Sequence, residues 1–237
     1  MDERVLAEGL AETRSQAQGL ILAGRILVDD VPVDKCGARV APDAMLRLRG
    51  GVRRFVSRGG EKLVGALEDL RVDPRGLSCL DIGASTGGFT DCLLQSGARR
   101  VIAVDVGYGQ LALSLRDDPR VAILEKTNAR YLEADRLPWS VDLVVVDVSF
   151  ISIRLLLARL AAIAPGVPML LMVKPQFELA REKVGKGGVV REDRDRHEAV
   201  ECVCEVAREL GYVERGRAPS RLHGPKGNRE IFLHIVP

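Results

Sequence analysis

Lys62, Asp147, Lys174 and Glu230 supply two ammonium groups and two carboxylates, the side-chain types that can orient and activate a hydroxyl group. Asp147 closes the apolar run Val141-Asp142-Leu143-Val144-Val145-Val146. Lys174 closes Met169-Leu170-Leu171-Met172-Val173 and precedes Pro175. Glu230 opens Ile231-Phe232-Leu233-His234-Ile235, and Lys62 lies in Ser57-Arg58-Gly59-Gly60-Glu61-Lys62-Leu63. In a parallel sheet, residues just past the carboxyl ends of the strands converge on one crevice, where ligands bind. The expectation is that distant segments bring these four groups together there, and that the chain is an enzyme.

A second set of residues reads as a cofactor site. Asp81-Ile82-Gly83-Ala84-Ser85-Thr86-Gly87-Gly88-Phe89-Thr90 follows a strand and opens a helix. Gly83, Gly87 and Gly88 permit close backbone approach of a ligand, with Ser85 and Phe89 in the same turn. The strand–loop–helix context suits an adenosine-type cofactor. The spacing is not that of the dinucleotide fingerprint, and the Lys-Ser/Thr pair of a nucleoside triphosphate loop is absent. Asp105 ends the next strand roughly 20 residues on, where an acid can hold both ribose hydroxyls. Asn128 follows the third strand as a candidate adenine contact, and Asp81 can anchor the amino acid portion. Each has a plainer role beside it: Asp81 as a loop-shaping acceptor, Asp105 as a helix cap, Asn128 as a turn residue. The pattern favours an S-adenosylmethionine methyltransferase over a dehydrogenase.

The positioning elements follow from periodicity. Residues 1 to about 48 form a small α+β module: a helix around Val5, Leu6 and Leu10 ending near Gly9-Leu10, a second from Arg14 to Ala23 capped by Thr13 or Ser15, and three short strands over Arg25–Val28, Val31–Val33 and Met45–Leu48 with a tight turn at Asp29-Asp30. Such a module buries little area alone. Residues 49–59 are glycine-rich and basic and read as a linker. From residue 60 to 237 helices and strands alternate, which predicts an α/β, Rossmann-like domain with a parallel sheet covered on both faces. Helices are expected over Lys62–Leu70, Phe89–Ser96, Arg154–Ile163 and His197–Leu210. Strands are expected over Leu77–Ile82, Val101–Val104, Val121–Leu124, Leu143–Val146 and Met169–Val173. Phe177 to Val190, with three glycines, reads as a mobile active-site loop.

Bulk properties narrow the class. The 237 residues are 46% hydrophobic, enough for a substantial core, and the net charge of +2 neither demands nor forbids a polyanionic partner. Five scattered cysteines show no zinc spacing and suggest reduced thiols in a cytoplasm, with no metal. Met1-Asp2-Glu3-Arg4 lacks the pattern of a signal peptide, and no apolar stretch approaches the roughly 18 residues of a membrane helix.

Five motifs in order carry a resemblance: Ser57-Arg58-Gly59-Gly60-Glu61-Lys62-Leu63, the Asp81–Thr90 turn, Asp147-Val148-Ser149-Phe150-Ile151-Ser152, Val173-Lys174-Pro175-Gln176-Phe177-Glu178 and Lys226-Gly227-Asn228-Arg229-Glu230. Residues 57 to 237 resemble the FtsJ-like ribose 2′-O-methyltransferases. Ser15-Gln16-Ala17-Gln18 and Ile21 to Asp29 make residues 1–48 similar to an S4 RNA-binding domain. Together they resemble the TlyA family of ribosomal RNA methyltransferases, some members of which carry the name haemolysin. The match begins abruptly at Met1, where the resemblance implies either a truncated first helix or a misassigned start codon. The resemblance implies S-adenosyl-L-methionine as cofactor, with Asp147 near it, ribosomal RNA or ribosomal subunits as partner, and the catalytic set on Lys62, Asp147, Lys174 and Glu230. Lys174 would activate the hydroxyl, with Lys62 as a neighbouring cation and Asp147 as its orienter; Lys62 and Glu230 would position the ribose or its phosphate. Asp147-Val148-Ser149-Phe150 replaces the Asp/Asn-Pro-Pro-aromatic run of amine methyltransferases, which favours oxygen as the acceptor. Candidate RNA contacts are Arg4, Arg14 and Arg25 in the module and Arg53, Arg54 and Arg58 beside Lys62, with Arg217, Arg221, Lys226 and Arg229 as a second rim. The competing classes are a non-catalytic RNA-binding assembly factor and a membrane-acting haemolysin. The modified nucleotide, the subunit and the oligomeric state stay open.

Overall fold

The structure, a computed structural model, describes residues 1–49, 54–224 and 227–237. It divides into two compact units, Met1–Arg54 and Phe55–Pro237.

In the first unit, α1 (Asp2–Ala7) and α2 (Arg14–Leu22) pack on a three-stranded antiparallel sheet of β1 (Ile26–Val28), β2 (Val31–Val33) and β3 (Leu46–Leu48), in the order β2-β1-β3. The side chain of Thr13 accepts a hydrogen bond from the Gln16 amide at 3.2 Å and starts α2. Asp29 and Asp30 both adopt positive φ (48° and 67°), as a two-residue hairpin turn between right-twisted strands requires. Val5, Ala17, Ile21, Ile26 and Leu46 form a small core of this unit's own. The first helix stops at Ala7, earlier than the apolar spacing of Leu6 and Leu10 suggests, because Gly9 turns the chain at φ 69°.

The second unit is a seven-stranded sheet with helices on both faces. Its strands are β4 (Ser78–Ile82), β5 (Arg100–Val104), β6 (Val121–Leu124), β7 (Leu143–Val146), β8 (Met169–Val173), β9 (Val213–Pro219) and β10 (Ile231–Val236). Its helices are α3 (Arg58–Asp69), α4 (Gly88–Gln95), α5 (Leu113–Arg116), α6 (Arg154–Ile163), α7 (Pro175–Glu178) and α8 (Asp193–Glu209). The strand order is β6-β5-β4-β7-β8-β10-β9. The period-2 alternation of side chains splits each central strand between two cores. Leu80, Ile82, Val144, Val146, Leu171 and Val173 pack with α6 and α8, whereas Cys79, Leu143, Val145, Leu170 and Met172 pack with α3 and α4.

Three expectations need correction. The sheet is mixed: β10 runs antiparallel to both β8 and β9. The basic stretch before Lys62 is not linker throughout, since α3 begins at Arg58 with the Ser57 hydroxyl accepting from the Gly59 amide, and Phe55 is buried in the second core. The segment from Phe177 onward is not an open loop: it holds the last residues of α7, a short 3-10 turn at Arg181–Lys183 and a bridge between Gly185 and Val189. Buried Asn228 ties that segment down, accepting from the Val190 amide at 3.0 Å and donating to the Gly188 carbonyl at 2.8 Å. No helix among the described residues is long and apolar enough to cross a membrane.

Candidate active site

The carboxyl ends of β4 and β7 are neighbours, and strand connections diverge on either side of them, which is where such sheets open a crevice. Gly83 follows β4 and Asp147 follows β7. Gly83 has φ 87°, and a Cβ there would lie 2.3 Å from the Asp147 carbonyl oxygen. Only glycine lets the two strand ends sit this close.

Four sequence-distant groups meet in two ion pairs. Lys62 lies on the sheet-facing side of α3 and donates to Glu230, whose side chain is 1% exposed. Lys174, immediately after β8, lies 2.6 Å from Asp147 Oδ1 and donates to the Ser149 hydroxyl at 2.8 Å. Lys62 is thus paired with Glu230, and Lys174 with Asp147 and the Ser149 hydroxyl. Glu230 reaches this edge because β10 is antiparallel to β8: Ile231 pairs with Val173, so the start of β10 lies beside the end of β8. Gly224 makes room for it, since a Cβ there would come within 2.5 Å of the Glu230 carboxylate.

Asp147 links two cavities. One, about 520 Å3, is lined by Asp105, Val106, Asn128, Val148, Ile151 and the Gly83 turn. The other, about 220 Å3, is lined by Lys62, Ser57, Arg58, Phe89 and His223. Asp147, Gly83 and Ser85 line both. Asp147 Oδ1 is buried against the Lys174 ammonium, which compensates its charge. Asp147 stands where the two cavities meet.

The larger cavity suits an adenosine-type ligand in size and lining. Asp105 sits at its edge, its carboxylate fixed by the amides of Ser85 at 2.8 Å and Gly107 at 2.7 Å. Those bonds also hold the glycine turn, in which Ser85 adopts φ 50°. Asn128 lines the cavity, while its side-chain oxygen accepts from the Arg130 amide at 3.0 Å. Gly87 and Gly88 are tightly packed: a Cβ would meet Leu115 at 2.2 Å or the Ser57 hydroxyl at 2.2 Å. Asp81 is placed elsewhere than the sequence suggests. It is fully buried, lines neither cavity, and accepts a hydrogen bond from Thr90 at 2.7 Å, so it shapes the loop from beneath.

Burial pushes the Asp81 carboxyl up to about 7, with the Thr90 hydrogen bond opposing and the nearby Asp147 charge adding to the rise. A raised carboxyl favours folding while protonated. Stability therefore falls as pH rises from the unfolded value near 4 to about 7, and levels above it. Asp81→Asn is expected to remove this loss, gaining on the parent at pH 8 relative to pH 5 by an amount on the order of a few kcal/mol. Thermal melting of both proteins at the two pH values measures the difference. Parallel pH responses would contradict it.

The arginines divide. Arg4 is committed to its own unit, bonded to Glu8 and to the carbonyls of Ala41 and Ala44, so it is not the phosphate contact its position suggested. Arg14 pairs with Asp2 at 2.9 Å and stays largely exposed. Arg25 is half-buried, its Nε without a hydrogen bond among the described residues. Arg54 is exposed, Arg58 is exposed with its guanidinium on the His223 carbonyl at 3.1 Å, and Arg53 and Lys226 lie outside the described residues. Of the second rim, Arg221 is held by Glu68 and Asp69, and Arg217 by Glu214 and Glu201, leaving Arg229 exposed. Glu201, Cys204 and Glu214 cluster closely enough to hold a metal, but the Arg217 guanidinium already bonds both carboxylates.

Sequence reasoning passed over Ser149, His223 and Phe150 as site residues. Phe150 is 91% exposed at the cavity edge with φ 67°, and its ring lies 5.5 Å from that of Phe177. An exposed aromatic held in a left-handed backbone was the available signal only once coordinates were at hand.

Comparison with known proteins agrees with this geometry. Residues 55–236 match the FtsJ-like methyltransferase family model and residues 2–46 the S4 domain model. The 16S/23S rRNA (cytidine-2′-O)-methyltransferase TlyA of Mycobacterium tuberculosis is 47% identical, with 99% of this chain and 88% of that protein covered. Hemolysin A of Brachyspira hyodysenteriae is 38% identical over 100% of this chain and 99% of its own length. A Streptococcus thermophilus structure that bears the name hemolysin superposes with a TM-score of 0.77 at 40% identity, covering 99% of this chain and 86% of that one. An S4 module followed by an FtsJ-like domain, matched along nearly the whole length, places the chain in the TlyA family of methyltransferases.

Proposed function

We propose that this chain methylates a ribose 2′-hydroxyl of ribosomal RNA, with S-adenosylmethionine as donor and a cytidine as acceptor. The carrying observation is the Lys174–Asp147 ion pair at the junction of the two cavities. The activity that the 47% identical relative is named for supports the nucleotide.

When bound, the cofactor supplies an electrophilic methyl group. Asp105 and Asn128 hold its nucleoside in the larger cavity, and the Gly83 turn lets it approach the backbone. The ribose lies on the other side of Asp147, in the smaller cavity. The Asp147 carboxylate accepts a hydrogen bond from the hydroxyl and so aims an oxygen lone pair at the methyl group. Lys174, held by Asp147 and Ser149, steadies the negative charge that builds on that oxygen as its proton leaves. As the oxygen–carbon bond forms, the carbon–sulfur bond breaks with its electron pair left on a neutral thioether sulfur, and the hydroxyl proton passes to the Asp147 carboxylate. The Lys62–Glu230 pair, with Arg58 nearby, positions the ribose and its phosphate. Alignment of the reacting atoms supplies much of the rate.

Phe150 offers an exposed ring at the edge of the larger cavity, near Asp147, on which an unstacked base can lie. Phe150→Ala is expected to weaken productive RNA binding by about 1–3 kcal/mol. Steady-state transfer on ribosomal subunits, beside calorimetric cofactor binding, reads this out. An equal loss of cofactor affinity would assign the ring to the cofactor instead of the base.

The decisive experiment offers tritiated S-adenosylmethionine and each ribosomal subunit to the protein, then maps 2′-O-methyl positions. Label at a cytidine ribose is expected. Cofactor and subunit binding without label would leave an RNA-binding assembly factor. Five scattered cysteines without zinc spacing suit a cytoplasmic setting for that work.

A further inference from the structure

Glu178 is a carboxylate only 3% exposed, four residues beyond Lys174, and it lines neither cavity. Both its oxygens are engaged by the segment that follows β7. Oε2 accepts from the Ser152 hydroxyl and from Arg154 Nε at 3.3 Å, and Oε1 accepts from the Ile153 amide at 2.8 Å. The Glu178 carbonyl accepts from the Arg154 guanidinium at 2.7 Å. These bonds also satisfy the start of α6, whose first amides have no partner within the helix.

The consequence is a zipper between two short stretches, 147–154 and 174–178. Its first tooth is Lys174 against Asp147 and Ser149. Its second is the Phe150–Phe177 ring pair. Its third is Glu178 against Ser152, Ile153 and Arg154. Only the third is buried away from both cavities. The first is partly exposed, and it has to change partners as the hydroxyl arrives. A register error of one residue would carry the ammonium several ångströms from Asp147, because consecutive Cα atoms are about 3.8 Å apart.

We infer that Glu178 is a positioning residue for methyl transfer: by locking the two stretches in register it holds Lys174 against Asp147 Oδ1. This rests on the reaction assigned above. Glu178 touches neither substrate nor cofactor. It acts through geometry, so its loss should lower turnover while leaving substrate affinities in place.

Glu178→Gln keeps the shape but replaces one acceptor oxygen with a donor facing Ser152 and Arg154. The expected result is a fall in kcat of about 10–100-fold with the KM for ribosomal subunits and the Kd for S-adenosylmethionine within about threefold. Ser152→Ala, which removes the hydroxyl's bonds to Glu178 and Arg154 but leaves those of Glu178 with the Ile153 amide and Arg154, should show a smaller fall of the same kind. In a double-mutant cycle with Ser149→Ala, the two losses should be markedly less than multiplicative. Nuclear magnetic resonance of 13Cε-labelled lysine gives a readout that needs no turnover: the Lys174 signal should move in Glu178→Gln and the Lys62 signal should not. A parent protein that fails to methylate would sink the proposed reaction while leaving this resonance test intact. An unmoved Lys174 signal, an unchanged kcat, or a loss carried wholly in KM would overturn the inference. If Glu178→Gln does not fold, the same readings on Ser152→Ala decide it.

Discussion

Lys174→Ala is expected to reduce methyl transfer by about 10³-fold or more, since it removes the cation that steadies the reacting oxygen and unsettles the acceptor that aims it. Lys174 is absent from the lining of the larger cavity, so cofactor affinity should hold within a few fold. The variant leaves the Asp147 carboxylate, 23% exposed, with its cation gone, and some loss of stability should accompany the lost activity. Lys174→Arg should not restore turnover, because a planar guanidinium cannot place one nitrogen against both Asp147 and Ser149 in the same way as an ammonium. Single-turnover transfer at saturating cofactor, paired with calorimetric binding, separates the two effects. Near-normal turnover of Lys174→Ala with bound cofactor would remove the mechanism.

Gly83→Ala is the second large effect, acting on the cofactor instead of the acceptor. The new Cβ would lie 2.3 Å from the Asp147 carbonyl oxygen, in a backbone conformation of φ 87°. The conformation alone costs about 1–2 kcal/mol for a residue other than glycine. The collision is with main chain, so no side-chain rotation relieves it. The end of β7 must move, taking with it the floor of both cavities. A drop in melting temperature and at least about a 100-fold loss of cofactor affinity are expected, in proportion to the roughly 3 kcal/mol that strain and misalignment together represent. Gly9→Ala offers a control, having positive φ (69°) but nothing within 4 Å of the added carbon. It should cost stability in the first unit and leave cofactor affinity alone. Equal affinity for Gly83→Ala and the parent would show that the close approach of the two strand ends is not needed.

The strands of the sheet centre were legible because they are nearly continuous apolar runs, as strands buried on both faces must be. The run Met169–Val173 and the run Leu143–Val146 left little choice. β9 was not legible. Val213-Glu214-Arg215-Gly216-Arg217-Ala218-Pro219 is an edge strand with mostly exposed side chains, and its polar residues, glycine and proline hide it from any alternation test. Once β9 is missed, the direction of β10 cannot be deduced, and the parallel expectation follows. Asp147 and Lys174 stood out because each ends such a run, Glu230 because it opens one, and Lys62 by its motif. Their pairing did not, because which ammonium meets which acid depends on strand order and on α3 lying over one face. Arg4 shows the opposite failure: its charge suggested a phosphate, while the fold gives it two carbonyls and a glutamate close by. Asp81 was misplaced for a similar reason, since a carboxylate before a glycine turn looks the same in sequence whether it faces the ligand or the core.

The insertion of β10 between β8 and β9 has a consequence for synthesis. A nascent polypeptide exposes the glycine turn, Asp105 and Asp147 well before Ile231–Val236 leaves the exit tunnel. Until that strand arrives, β8 is a bare edge and Lys62 has no acid to hold it. Closure of the sheet and completion of the acid–ammonium set by Glu230 thus depend on the same late strand, so a half-made copy still tethered to its own translating machine holds the glycine turn and the Lys174–Asp147 pair without the acid for Lys62.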